Sequence, residues 1–209
     1  MKKFYLTILV VLGVVLGLSW RESAQVNAAT TIKKGSNSDT LIVYFSKSGI
    51  NYEGYRKTGN TAKLANDIQK ATGADMYEIV PAKPYSRTSY KAVEKRATAE
   101  QKQNARPAIK GSMPDVSKYK TVFIGSPIWY NEYPMPVRTF MDKVDLNGKT
   151  LMPFATDSGS GMGEQPQQLK KQYPKAKIKK GFSVEGADVS KANTQTNVNK
   201  WVKNLGLSK

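Results

Sequence analysis

Two polar, glycine-bearing phrases lie close together early in the chain: Ser46-Lys47-Ser48-Gly49 and Thr58-Gly59-Asn60-Thr61. Hydroxyls, an amide and unhindered glycine N–H groups are what a protein uses to hold a phosphate. Further on, Pro127-Ile128-Trp129-Tyr130-Asn131 sets two aromatic rings side by side. Later still, Ser158-Gly159-Ser160-Gly161-Met162-Gly163 forms a loop whose backbone can approach a flat ligand closely. Taken singly, each is unremarkable: a turn, a core or interface aromatic pair, a linker. Brought to one place, they describe a site for a phosphorylated planar ring.

The surrounding elements decide whether they meet. Thr40–Ser46 and Lys120–Ser126 are short, apolar and rich in β-branched residues, as buried strands are. Asp75–Val80, Thr150–Asp157 and a segment around Gly181–Val184 add three more strands. Between them, Asn60–Gly73 places Ala62, Ala65, Ile68 and Ala71 on one face. Asn60 or Thr61 is expected to cap its start, and Gly73 its end. Met135–Val144, Glu164–Gln172 and Asn193–Leu205 read as further helices, and Arg87–Asn104 as a charged helical excursion on the surface. Strands alternating with helices imply an α/β fold with a parallel sheet covered on both faces. Ligands of such folds bind beyond the carboxyl ends of the strands. The phrases singled out above follow the first, third and fourth strands.

Composition narrows the chemistry. The 209 residues include neither cysteine nor histidine. Disulfides, thiolate nucleophiles, histidine-based triads and ordinary zinc sites are therefore excluded, and demanding chemistry would need carboxylates or a borrowed cofactor. Lys2-Lys3 precede an apolar run of 15 residues, Phe4–Leu18. A membrane span needs about 20 such residues, so the run suits a signal peptide, with Val26-Asn27-Ala28 as the cleavage site. An uncleaved anchor is the alternative. We expect a leader at 1–28, a polar linker at 29–39, one domain at 40–209 and a secreted or cell-surface protein with no lipoprotein cysteine. The net charge is +17; Lys2, Lys3, Arg21 and Glu22 account for +2 of it, leaving +15 after cleavage. An exported basic protein meets anionic cell-surface polymers before nucleic acid, which is not an expected partner. The lysines are spread along the chain, as on a generally basic surface.

From about Thr40 to Leu207 the chain resembles the flavodoxin-like proteins. The resemblance is carried by "YFSKSG…GNT", "GSPIWYNEYPMPVRTF", "FATDSGSGMG" and "QKQNARPAI", and is nearest to a bacterial subgroup with such loops. It implies a five-stranded parallel sheet in the order 2-1-3-4-5 with helices on both faces, and non-covalent binding of FMN. By the same resemblance the phosphate would rest on Ser46, Ser48, Asn60 and Thr61, with Gly49, Thr58 and Gly59 beside it. The ring would lie against Pro127, Ile128, Trp129, Tyr130 and Asn131, with Trp129 or Tyr130 stacked on it. Ser158, Gly159, Ser160 and Gly161 would touch the other side.

Two departures from the family pattern matter. The usual phosphate loop is continuous, whereas here Ile50–Thr58 is inserted. Loop insertions add little closure entropy, so the two halves are expected still to meet. The insertion either points outward or brings Arg56 or Lys57 toward the phosphate. In addition, single-electron carriers of this family often have a glycine beside the ring, and Trp129–Glu132 has none. Asn131 tolerates positive φ better than most residues and could stand in for glycine, yet without one a strongly stabilised semiquinone is less expected and two-electron chemistry more so.

The expected function is electron transfer by an exported FMN protein, with redox proteins or small electron acceptors as partners. One alternative is an FMN-dependent reductase of quinones or similar acceptors, its pocket shaped by Tyr85, Tyr130 or Tyr133. Another is a flavodoxin-shaped binding module without FMN.

Overall fold

A computed structural model describes residues 31–207; the expected leader lies outside them. The elements run β1 (Asn37–Tyr44), β2 (Gly49–Asn51), β3 (Gly54–Arg56), α1 (Asn60–Thr72), β4 (Ala74–Glu78), α2 (Tyr90–Lys102), β5 (Thr121–Pro127), α3 (Met135–Lys143), β6 (Thr150–Asp157), α4 (Gln165–Gln172), β7 (Lys177–Ile178), β8 (Phe182–Glu185) and α5 (Ala192–Asn204). One sheet runs β4-β1-β5-β6-β7, with β8 also on β6, and its ladders are parallel. This is the expected 2-1-3-4-5 order, with the fifth strand in two pieces.

The apolar run of β1 serves both faces because successive side chains alternate across a strand. Leu41, Val43 and Phe45 join one core with Val93 of α2, Val137 and Phe140 of α3 and Leu169 of α4. Ile42 and Tyr44 join the other with Leu64, Ala65 and Ile68 of α1 and Val198, Trp201 and Val202 of α5. Arg87–Asn104 is thus no surface excursion. Its helix, α2, buries Val93 and Ala97 and closes one face of the sheet, as a crossover helix must. So few apolar positions among so many charges hid that role.

Two further expectations shift. Residues up to Asp39 were expected as a linker, yet from Lys33 onward they are docked. Lys33 and Met76 exchange two backbone hydrogen bonds of 2.8 Å, and β1 already begins at Asn37. The cause is Asp75, which accepts hydrogen bonds from Gly35 N–H at 2.7 Å and Lys34 Nζ at 3.1 Å. The start of α1 also differs. Gly59 occupies the N-cap position, so neither Asn60 nor Thr61 caps the helix; Gly73 ends it in the left-handed conformation, as expected.

Candidate functional site

The parallel ladders put the ends of β1, β5 and β6 at one rim of the sheet, and a cleft of about 280 Å³ opens there. Its floor is Lys47, Thr61 and Thr156. One wall is apolar: Pro127, Ile128 and Trp129 after β5, with Tyr90 and Val93 of α2. Polar groups complete the lining: Asn51 and Glu53 of the insertion, Asn60, Asp157, Ser158 and Gly186, while Tyr52 stands against Tyr90 with ring centroids 6.2 Å apart.

The two halves of the divided loop touch. Ser46 Oγ accepts the Ala62 N–H at 3.0 Å, so the hydroxyl after β1 caps a helix that has no side-chain cap of its own. A Cβ on Gly59 would stand 2.3 Å from Ser46 Oγ and 2.6 Å from the Lys47 carbonyl oxygen, so only glycine permits this approach. Thr61 and Thr156 share a buried 2.7 Å hydrogen bond between hydroxyls, tying α1 to the end of β6. The first N–H groups of α1 have no partner within the helix and, with its dipole, favour an anion. Beside them Asn60 Oδ1 is buried without a hydrogen-bond partner. Lys47 is 8% exposed, and its ammonium donates to the Ile50 carbonyl. Burial, with Arg87 nearby, holds its pKa below the ordinary lysine value.

The insertion folds into the β2–β3 hairpin, and Asn51 Nδ2 donates to the carbonyls of Lys47 and Gly49, pinning its first strand to the loop before it. Tyr52 and Tyr55 are 76% and 59% exposed at its tip. Arg56 does not face the cleft with a free charge, because it pairs with Glu53 at 3.4 Å.

At the apolar wall, Trp129 stands edge-on to Phe45 and Tyr85, with ring centroids 5.6 and 5.0 Å away. Its neighbour turns elsewhere. Tyr130 leaves the cleft and bonds Thr98 Oγ1 at 2.6 Å and the Glu94 carbonyl at 3.3 Å, both on α2. Trp129 and Glu132 exchange two backbone hydrogen bonds around a two-residue turn in which Tyr130 and Asn131 have φ of 52° and 66°. That conformation strains a residue with a side chain, and tyrosine more than asparagine. The turn is held by Glu164 N–H donating to Asn131 O at 2.8 Å, and by Gly163. Gly163 has φ 49°, and a Cβ there would sit 2.6 Å from Asn131 O. Gly163→Ala should therefore cost about 1–2 kcal/mol, read as a lowered urea midpoint at unchanged slope; an unchanged midpoint would show that the contact is soft.

Among the residues picked out from the sequence, the cleft is lined by Asn60, Thr61, Pro127, Ile128, Trp129 and Ser158. Ser46 and Gly59 lie directly behind the helix start. Gly159 and Gly161 donate backbone N–H to Asp157 Oδ1 at 2.8 and 3.0 Å, which fixes the loop, and Ser160 is exposed beside them. Ser48 and Gly49 lead into β2, Thr58 faces a groove on the α1 side, and Asn131 is exposed. Tyr85 and Tyr133, named as pocket-shaping, are core residues 6% and 1% exposed. The sequence reading missed Lys47, Glu53, Tyr90, Thr156, Asp157 and Gly186. Thr156 and Asp157 stood at a strand end and were readable on that rule; the others reach the cleft from segments whose direction no local pattern states.

The carboxyl rim of the doubly wound sheet thus carries a polar helix start, an aromatic wall and a glycine loop. The chain belongs to the flavodoxin family, whose model matches residues 39–205. It is similar to the solved structures of two candidate flavoproteins. The one from Bacteroides eggerthii is 32% identical over 82% of this chain and 100% of that one, with a TM-score of 0.65. The one from Bacteroides uniformis is 31% identical over 82% and 99%, with a TM-score of 0.63. A flavoprotein from Lactobacillus acidophilus in complex with FMN shares the fold at 20% identity over 74% and 98%, with a TM-score of 0.56. No curated protein matches the chain.

Proposed function

We propose that this protein is exported, binds FMN without a covalent bond and transfers electrons. The observation that carries the reading is the cleft itself. An anion-favouring helix start and the apolar side chains of Ile128, Trp129, Tyr90 and Val93 line the same cleft. A phosphate at one end and a flat ring at the other is the chemistry of FMN, the ligand of the Lactobacillus acidophilus relative. The residues fit: Ser46, Asn60, Thr61 and the N–H groups of α1 would hold the phosphate, and Pro127–Trp129 would back the ring. The loop from Ser158 to Gly161, fixed by Asp157, would close over the ring. When bound, the flavin supplies the redox chemistry, and the chain supplies binding, orientation and exclusion of water.

Lys2-Lys3 and the apolar run Phe4–Leu18, read as a leader, are what supports export, and the basic composition suits acidic redox partners or an anionic cell surface. Docking of that kind weakens as salt rises. The test is titration of the purified protein with FMN and with riboflavin, followed by flavin fluorescence. FMN should bind more tightly than riboflavin, because only FMN engages the helix start. If neither binds, the reading is wrong.

A further inference from the structure

We propose that Glu53 sets the ligand preference of the cleft by acting as a built-in anion at its phosphate end. The inference rests on the FMN reading and goes beyond it. Glu53 is the single acidic residue of the insertion Ile50–Thr58, and its side chain is 19% exposed. Oε2 accepts from Asn60 Nδ2 at 3.2 Å and from Arg56 Nη2 at 3.4 Å; Oε1 accepts from Ser158 Oγ at 3.4 Å. A Cβ on Gly186 would lie 2.5 Å from Oε2, so the carboxylate also fills the space left by that glycine. One side chain thus joins the hairpin, the start of α1 and the loops after β6 and β8.

Of these, the Asn60 amide and the Arg56 guanidinium are donors a ligand phosphate would seek. Helix α1 has no acidic residue in its first turn, so its positive end receives this carboxylate from outside the helix. A phosphate monoester entering the cleft either displaces the carboxylate or lies beside a like charge. Displacement releases the Arg56 guanidinium, which then pairs with the phosphate. A flavin lacking phosphate meets neither effect. Glu53 therefore narrows the preference for FMN over riboflavin, and ties phosphate binding to movement of the hairpin.

The experiment compares dissociation constants of FMN and riboflavin for the parent protein and for Glu53→Gln, with Glu53→Ser as a second variant should the first fold poorly. Removing the charge should tighten FMN by about tenfold and leave riboflavin within about twofold. An unchanged FMN-to-riboflavin ratio, with both flavins still bound, would overturn this inference and leave the FMN reading standing. Weaker FMN binding to Glu53→Gln would overturn it too, since the carboxylate would then be supporting the phosphate site. If neither flavin bound any of the proteins, both readings would fall together.

Discussion

Replacing Asp75 by alanine should lower the stability of the fold by about 3 kcal/mol. The carboxylate is 1% exposed. Its Oδ1 accepts the Gly35 N–H at 2.7 Å, and its Oδ2 accepts the Tyr119 hydroxyl at 2.7 Å and the ammonium groups of Lys34 and Lys118 at 3.1 and 3.2 Å. Alanine would leave the buried Tyr119 hydroxyl and the Gly35 N–H without an acceptor, and such losses, more than the ion pairs, make the effect large. Both lysines are well exposed, at 64% and 45%, and contribute little in water. Burial alone would raise the pKa of Asp75. The hydrogen bonds from Gly35 and Tyr119, then those from Lys34 and Lys118, outweigh it and hold the group at about 2 against 3.8 for a free side chain. A depressed pKa stabilises the fold above the unfolded value, and that stability is lost as pH falls from about 4 toward 2. Urea unfolding across this range should show a steeper fall in the parent than in Asp75→Ala, which keeps only the contributions of other depressed carboxylates such as Asp115 and Asp145. A difference below about 1 kcal/mol at neutral pH would mean that the N-terminal segment rearranges to supply other acceptors.

FMN affinity should drop about a hundredfold in Gly59→Ala, while riboflavin affinity changes far less. The backbone at Gly59, with φ −64° and ψ 150°, suits any residue, so the effect does not come from strain in the turn. It comes from contact. The new methyl would meet Ser46 Oγ and the carbonyl of Lys47 at 2.3 and 2.6 Å, and the second of these is main chain that cannot swing aside. The start of α1 must move away from the loop after β1, separating the two sets of groups that would grip a phosphate from opposite sides. The clash involves the loop after β1 and the helix start and replaces no side chain of either core, so the variant should still fold. Fluorescence titration with both flavins checks it. FMN binding within threefold of the parent would show that the two halves of the loop need not touch.

The apolar, β-branched runs of β1 and β5, the capping glycine Gly73, and Pro134 and Pro136 at the start of α3 made the sheet and most helices legible, because each is a local signal with a local cause. Three features were not legible. The β2–β3 ladder has three residues a side, too few for alternation to appear. The fifth strand breaks around Lys179–Gly181, where a Cβ on Gly181 would meet the Pro153 carbonyl at 2.9 Å, a contact with a strand distant in sequence. The turn at Tyr130 and Asn131 adopts a shape that glycine would favour, because α2 and α4 hold it from outside. For the cleft the same division applies. Residues that follow strands could be placed by topology, whereas Glu53 and Tyr90 depend on where a hairpin and a helix lean.

The order of the sheet also governs when the protein can exist at all. β1 lies inside the sheet between β4 and β5, and β5 begins about 80 residues later, since Thr40 is in register with Thr121. A chain emerging from its N-terminus therefore carries Leu41–Tyr44, a run buried on both faces of the sheet, with one edge unpaired until about half of the domain has followed. Only β4, arriving soon after α1, gives early shelter, and on one side alone. Folding is thus a late and collective event, and during emergence Leu41–Phe45 is the segment most in need of a chaperone's cover.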